Sequence, residues 1–204
     1  MRLSLSLLLS SMLIGFCTSL HAQTANDFYN AGTAHGLKEE YNAAIAEFSK
    51  ALDKQPVFAE ALLSRGLCYL RIKKYKAAIQ DFTALLKANQ QDASALYNRA
   101  QAKLALGDFN GALADTEDAM RIKQGDPQLY FIKGQIQYAM GNYGQSIDDL
   151  GTSISLDAGN PAVYYKRGVV NYIAGYKEAA CKDLEKAAAM GYQEAYDILR
   201  LYCR

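Results

Sequence analysis

From about residue 25 to the C terminus, apolar residues recur every three or four positions, with polar residues between them. This spacing places the apolar side chains on one face of an amphipathic helix. No segment keeps up the strict apolar–polar alternation that is typical of a half-buried strand. The pattern therefore predicts an all-α protein.

The helical pattern repeats with a period of 34 residues. One column of the repeat is apolar: Phe28, Leu62, Leu96, Tyr130 and Tyr164. Two columns hold small residues: Gly32, Gly66, Ala100, Gly134 and Gly168, and Ala44, Ala78, Ala112, Ser146 and Ala180. Small residues at fixed points allow two helix backbones to approach closely, so these columns mark helix–helix contacts. Each unit is predicted to be a helix pair.

Turn residues agree with the helix pairs. Glycine falls in the middle of three units, at Gly107, Gly141 and Gly175, and Asp108 and Asn142 follow the first two as predicted N-caps. An aromatic residue comes just after the mid-unit turn: Tyr41, Tyr75, Phe109 and Tyr143. All three prolines lie between units: Pro56, Pro127 and Pro161. Proline is tolerated at the first position of a helix, so Pro127 and Pro161 predict helix starts.

The period, the small residues, the mid-unit Gly-x-aromatic and the proline between units resemble the tetratricopeptide repeat (TPR), a helix-turn-helix unit of 34 residues. The resemblance implies a right-handed superhelical solenoid spanning 23–204. Its five repeats are 25–58, 59–92, 93–126, 127–160 and 161–194. Thr116 departs from the pattern because it stands where earlier units have Phe48 and Phe82. The fifth unit reads Gly175-Tyr176-Lys177, so its aromatic residue is displaced by one position. From these departures we expect the fourth and fifth units to pack less regularly.

A capping helix is predicted at about 193–203, after Gly191 breaks the repeat. Ala195, Ile198, Leu199 and Tyr202 form one apolar stripe there, and the charged residues Glu194, Asp197 and Arg200 lie off it. Such a helix covers the core face that the last repeat would otherwise expose.

Residues 1–22 are interpreted as a signal peptide: Arg2 precedes an apolar run from Leu5 to Phe16, and Ala22 comes just before Gln23. Cleavage is predicted after Ala22. The alternative is a retained membrane anchor, which the short apolar run disfavours because a spanning helix needs about 20 residues. The bulky residue before Cys17 disfavours a lipoprotein. The protein is thus expected to be exported, either periplasmic or secreted, with no membrane-spanning segment after cleavage.

Charge and composition disfavour several functions. Lys and Arg total 22 against 21 acidic residues, which lacks the basic excess expected of a nucleic-acid-binding protein. Removal of the signal peptide leaves His35 as the one histidine. His35 holds the position in the first repeat that Tyr69 holds in the second, on the inward side of a first helix, which favours a packing role. We see no phosphate-binding loop and no Cys-x-x-Cys pair. The sequence predicts no enzyme activity, no metal and no cofactor.

Three cysteines follow the predicted signal peptide. Cys68 shares a column with Ala34 and Ala102 and is expected to be a small buried residue. Cys181 lies early in the second helix of the last repeat and Cys203 late in the capping helix, so antiparallel packing would bring them together. In an exported protein we expect them to form a disulfide; the alternative is two unrelated thiols.

A charged column also follows the period. Arg65, Arg99, Lys133 and Arg167 each precede an aspartate by sixteen residues: Asp81, Asp115, Asp149 and Asp183. Adjacent antiparallel helices would place each pair within salt-bridge distance. We interpret the pairs as structural; the alternative is a basic ladder for an acidic ligand.

The TPR resemblance also implies a ligand groove, because the first helices of such repeats line the concave face of the solenoid. The residues expected there are Tyr29, Leu63, Tyr97, Asn98, Gln101, Phe131, Gln135, Tyr138, Tyr165 and Tyr172. Aromatic and amide side chains suit an extended peptide or a docked helix. The alternative is that these aromatic residues only pack between repeats.

We therefore hypothesise a non-enzymatic scaffold or adaptor that binds a protein or peptide segment in the groove. The alternative is an accessory subunit at the cell envelope that binds polysaccharide or another envelope ligand, since tyrosine-lined clefts also bind sugars. Homo-oligomerisation is left open by the sequence.

Overall fold

The computed structural model describes residues 23–203, and the N-terminal segment assigned to a signal peptide lies outside them. The described residues form eleven α-helices and no strand. The helices are α1 Ala25–Leu37, α2 Tyr41–Lys54, α3 Ala59–Arg71, α4 Tyr75–Ala88, α5 Ala93–Ala105, α6 Phe109–Ile122, α7 Pro127–Ala139, α8 Tyr143–Leu156, α9 Pro161–Ile173, α10 Lys177–Ala189 and α11 Gln193–Tyr202. None of the helices in this range is long and apolar enough to cross a membrane.

The helices stack as five consecutive pairs followed by α11. Each helix packs against its neighbours in the chain, and the odd-numbered helices α1, α3, α5, α7 and α9 also contact one another in order. The first helices therefore form one continuous wall and the second helices the other. This architecture confirms the prediction of an all-α repeat solenoid with a helix at its C-terminal end.

The column of small residues makes room for one large side chain in each pair. A Cβ atom added to Gly66 would lie 2.6 Å from the ring of Phe82. At Gly32 the added atom would lie 2.7 Å from the ring of Phe48. The same relation holds for Gly134 with Leu150 and for Gly168 with Leu184, at 2.7 and 2.9 Å. These glycines cannot gain a methyl group unless the facing side chain moves.

In the third repeat both members of this facing pair are different residues. Ala100 replaces the glycine and Thr116 replaces the phenylalanine, and both are fully buried. The Thr116 hydroxyl donates to the carbonyl of Ala112 at 2.8 Å, so its polar atom is satisfied. The smaller residue at 116 is thus matched by the larger one at 100. We expected looser packing in the later repeats, but Leu150 and Leu184 are buried there.

Turns and caps follow the local sequence. Thr24 and Asp27 form a capping box at the start of α1, and Asp108 accepts a hydrogen bond from the Gly111 amide at 3.0 Å. Asn142 occupies the predicted N-cap position, but its side chain makes no capping bond; it donates instead to Gln137 at 2.9 Å. The aspartate and asparagine before Pro127 and Pro161 both cap their helices.

The mid-repeat turn requires a left-handed residue at one position. Gly107, Gly141 and Gly175 occupy it with φ values of 82°, 81° and 89°. In the first two repeats Glu39 and Lys73 stand there, with φ values of 61° and 60°. A side chain in this region carries strain that glycine does not.

All four predicted ion pairs form, each joining the two helices of one repeat. The three arginines bind both oxygens of their aspartates, at 2.7 to 2.9 Å. Lys133 reaches Asp149 at only 3.5 Å. Burial raises the pKa of Asp149, and Lys133 opposes that shift. Each base is therefore engaged by an acid of its own repeat, and three of these acids, Asp81, Asp115 and Asp183, are buried, which supports a structural role for the column.

The capping helix α11 closes the C-terminal end. Its Ala195 is fully buried, and the Tyr196 hydroxyl donates to the carbonyl of Ala188 in α10 at 2.7 Å. Cys181 and Cys203 form a disulfide, with their Cα atoms 5.6 Å apart. The bridge fastens the last residues of the cap to α10. Cys68 is a buried free thiol, and burial raises its pKa.

Candidate functional site

Two adjoining cavities run along the wall formed by the first helices. The first has a volume of about 540 Å³ and is lined by Leu67, Leu70, Arg71, Tyr75, Tyr97, Asn98, Gln101, Leu104, Ala105, Phe131, Ile132 and Gln135. The second, of about 250 Å³, is lined by Leu104, Gly134, Gln135, Tyr138, Ala139, Ser146, Leu150, Tyr165, Lys166, Val169 and Val170. Leu104 and Gln135 line both. Because the two cavities adjoin at these residues, we treat them together as one channel, which crosses α3, α5, α7 and α9.

Seven of the ten predicted groove residues line this channel: Tyr97, Asn98, Gln101, Phe131 and Gln135 in the first cavity, and Tyr138 and Tyr165 in the second. The other three, Tyr29, Leu63 and Tyr172, lie outside it. The Tyr29 ring packs on Phe58 with ring centres 5.1 Å apart, and Leu63 packs against the core. The Tyr172 ring lies 4.9 Å from that of Tyr202 in the cap. Packing thus accounts for these three side chains.

The polar groups of the first cavity include the amides of Asn98, Gln101 and Gln135 and the phenol of Tyr97. Gln101 donates to the Tyr97 hydroxyl oxygen at 2.7 Å, and Asn98 donates to the carbonyl of Ser94 at 2.8 Å. Burial raises the pKa of Tyr97, so its hydroxyl is protonated at neutral pH and can donate a hydrogen bond. Within residues 23–203 the Gln135 side chain makes no hydrogen bond, and it lies where the two cavities meet. It can therefore pair with the backbone of a ligand.

The channel carries two charged side chains, and both are basic. Arg71 lines the first cavity and Lys166 the second, and neither belongs to a salt bridge in the described part of the chain. Their lining contains no carboxylate. The channel therefore favours a ligand with negative charge over one with positive charge.

Several lining residues were missed although the period of 34 marks them. Leu67 and Val169 share the column of Gln101 and Gln135. Leu70 and Leu104 share the column of Tyr138 and Tyr172, and Ile132 and Lys166 that of Asn98. Extending each predicted column through all repeats would have found them, but their aliphatic side chains gave no separate signal for binding.

A larger cavity of about 830 Å³ lies between α4, α5 and α6, on the other side of α5 from the channel residues. Its two arginines are already engaged: Arg99 pairs with Asp115, and Arg121 pairs with Asp118. It lacks the row of ring and amide side chains that the channel has. We therefore take the channel as the candidate site.

Catalytic and metal-binding groups do not cluster in the described residues. His35 lies half-buried in the last turn of α1 and pairs with Glu40 through Nδ1 at 2.6 Å. This hydrogen bond lowers the pKa of Glu40. Between residues 23 and 203 no group of three His, Cys, Asp or Glu side chains could hold a metal ion.

Models of the tetratricopeptide repeat match this sequence over 29–92, 74–127 and 127–160. No curated protein matches it.

Solved structures share the fold at low sequence identity. A crystal structure of MamA is 22% identical, covers 81% of this chain and 96% of its own, and has a TM-score of 0.70. A thermophilic TPR protein from Thermus thermophilus is 18% identical, with coverage of 88% and 97% and a TM-score of 0.71. YrrB, described as a TPR protein with an unusual peptide-binding site, is 21% identical, with coverage of 86% and 92% and a TM-score of 0.66.

Proposed function

Because the chain belongs to the tetratricopeptide repeat family, we propose that it is a non-enzymatic scaffold that binds an extended protein or peptide segment in the channel. Proteins of this fold serve in general as interaction scaffolds. The description of YrrB as having a peptide-binding site supports the proposal at the level of the fold.

The observation that carries the proposal is that the two adjoining cavities of the channel together span four first helices. Packed helix axes lie about 8–10 Å apart, so three steps between α3 and α9 span roughly 24–30 Å. An extended chain advances about 3.3 Å per residue, which gives a bound segment of roughly seven to nine residues. Arg71 and Lys166, at opposite ends of this span, favour a segment that carries a carboxylate near each end.

Export is part of the same proposal. The N-terminal apolar segment and the Cys181–Cys203 disulfide support it, since structural disulfides persist mainly in oxidising compartments. N-terminal sequencing of the protein recovered from the producing cell tests the cleavage. A mature chain that begins at Gln23 agrees with the proposal, and a chain that retains residue 1 contradicts it.

Peptide binding is tested with arrays of nine-residue peptides, a length set by the roughly 30 Å span. The double variant Tyr97→Ala and Phe131→Ala removes two rings from the first cavity. Its matched control, Leu37→Ala with Tyr176→Ala, changes two exposed side chains that lie outside both cavities.

We expect peptides that bind the unmodified protein to lose at least tenfold in affinity for the channel variant and to bind the control unchanged. Equal binding to all three proteins would show that the channel is not the site. Binding of polysaccharide with no peptide binding would support the envelope-subunit alternative and contradict the proposal.

A further inference from the structure

A junction residue lies just before each of α3, α5, α7, α9 and α11. At two junctions this residue is aromatic, and its ring covers an aromatic side chain of the preceding repeat. Phe58 precedes α3, and its ring lies 5.1 Å from the ring of Tyr29. Tyr192 precedes α11, and its ring lies 4.8 Å from the ring of Tyr165. Tyr29 and Tyr165 occupy the same position in the first and fifth repeats. At both ends of the array, a ring from the next junction therefore stacks on this position.

The three middle junctions carry short polar residues instead: Asp92, Asp126 and Asn160. Each of these side chains accepts a hydrogen bond from the first turn of its own helix. A capping side chain is turned toward its helix and supplies no ring to the position before it. At Tyr97 the ring is therefore left without the partner that Tyr29 and Tyr165 have.

A cavity of about 230 Å³ occupies that place beside Tyr97. It is lined by Ala93, Ser94, Tyr97, Asn98, Lys123, Asp126, Gln128 and Leu129. Tyr97 and Asn98 line the channel as well, so the cavity lies next to the channel and shares these two residues with it. We call it the Tyr97 pocket.

We propose that the Tyr97 pocket receives a tyrosine side chain of the bound segment, an inference that rests on the proposed function. The ring stacks on Tyr97 as Phe58 stacks on Tyr29, and the hydroxyl donates to the carboxylate of Asp126. Asp126 already accepts the Gln128 amide at 2.9 Å, and a carboxylate has capacity for further donors. The charge of Asp126 also raises the pKa of Tyr97, which places the carboxylate near the ring.

The test compares nine-residue peptides of one background that differ at a single central position, with tyrosine, phenylalanine, leucine or alanine there. Binding is measured by fluorescence anisotropy. We expect the tyrosine peptide to bind about tenfold more tightly than the alanine peptide, because ring stacking adds to the area that the ring buries. We expect it to bind a few-fold more tightly than the phenylalanine peptide, because only tyrosine can donate to Asp126.

Asp126→Phe fills the pocket from within, since it places a ring where the first and last repeats carry one. The variant should lose the tyrosine preference. Asp92→Phe is the matched control: it removes the same kind of helix cap one junction earlier, next to Leu63, and should keep the preference. Circular dichroism shows whether both variants remain folded.

A second measurement uses the unmodified protein and N-acetyltyrosinamide, followed by the amide resonances of Asn98 and Leu129. Saturable shifts, absent with N-acetylalaninamide, support the proposal. Channel-dependent peptide binding without a tyrosine preference overturns this inference alone, as does a preference that survives Asp126→Phe. Absence of channel-dependent binding for every peptide overturns the proposed function and this inference with it.

Discussion

The exchange of both partners in the third repeat predicts a strong coupling between positions 100 and 116. Thr116→Phe alone places a ring against the Cβ of Ala100. In the second repeat the same ring would lie 2.6 Å from a Cβ on Gly66. Overpacking of this kind costs about 1–3 kcal/mol. Ala100→Gly alone costs about 1 kcal/mol, because glycine is a poor helix residue.

The double variant, Ala100→Gly with Thr116→Phe, restores the Gly–Phe pair of the first two repeats. The clash is then absent, and the ring buries more apolar surface than threonine does. We expect the double variant to unfold with a free energy within about 1 kcal/mol of the unmodified protein. The sum of the single effects is a loss of roughly 2–4 kcal/mol, so the coupling should favour the double variant by roughly 2 kcal/mol.

Urea unfolding followed by circular dichroism measures the four free energies. The dependence on urea must be equal in all four proteins, because a repeat array can lose cooperativity and unfold in parts. Gly66→Ala is a control for the clash: it should destabilise the protein although alanine is the better helix residue. If the double variant lies within about 0.5 kcal/mol of the additive sum, positions 100 and 116 are not complementary.

Three other changes test separate parts of the fold. Lys73→Gly should stabilise the protein by roughly 0.5 kcal/mol, seen as a higher melting temperature, because φ is 60° there and the strain exceeds the added chain entropy. Lys133→Arg should stabilise it by about 0.5–1 kcal/mol, since arginine can bind both oxygens of Asp149. Burial raises the pKa of Asp149 above its ordinary value of 3.8, so the folded state binds the proton more tightly than the unfolded state does. The contribution of this group to the free energy of unfolding therefore falls as pH rises from that value. Urea unfolding at several pH values should show a smaller fall for the arginine variant. Cys203→Ser should cost up to about 3 kcal/mol for a bridge with a sequence separation of 22, and limited proteolysis should show the first cleavage in α11; equal resistance to the protease would contradict a fastening role.

The helix pairs and their order could be predicted from the sequence because the same physical requirement recurs in every repeat. A glycine that faces a large side chain, as Gly66 faces Phe82, produces a pattern in the sequence that recurs in most repeats. The channel was predicted in part for the same reason. Its aliphatic members, such as Leu67 and Leu104, were missed because residues that line a groove and residues that fill a core have the same composition.

The expectation of less regular packing was wrong for a different reason. Thr116 departs from the phenylalanine of earlier repeats, but its effect depends on the residue that faces it. That residue, Ala100, also departs from its column and lies sixteen positions away in the sequence. Packing acts on the sum of the two volumes, so neither residue alone predicts how well the repeat fills its core.

At the repeat position held by Tyr29 and Tyr97, the exposure of the ring depends on a residue elsewhere in the repeat. Tyr29 and Tyr97 hold the same position in their repeats, yet the ring of Tyr29 is covered by Phe58, whereas Tyr97 faces a cavity. The difference lies in the junction residue, which either supplies a ring or caps the next helix. A short side chain that can cap a helix is too small to cover a neighbouring ring, so one residue cannot do both. At Tyr97 a polar junction leaves the ring facing a cavity, whereas apolar junctions place a second ring on Tyr29 and on Tyr165.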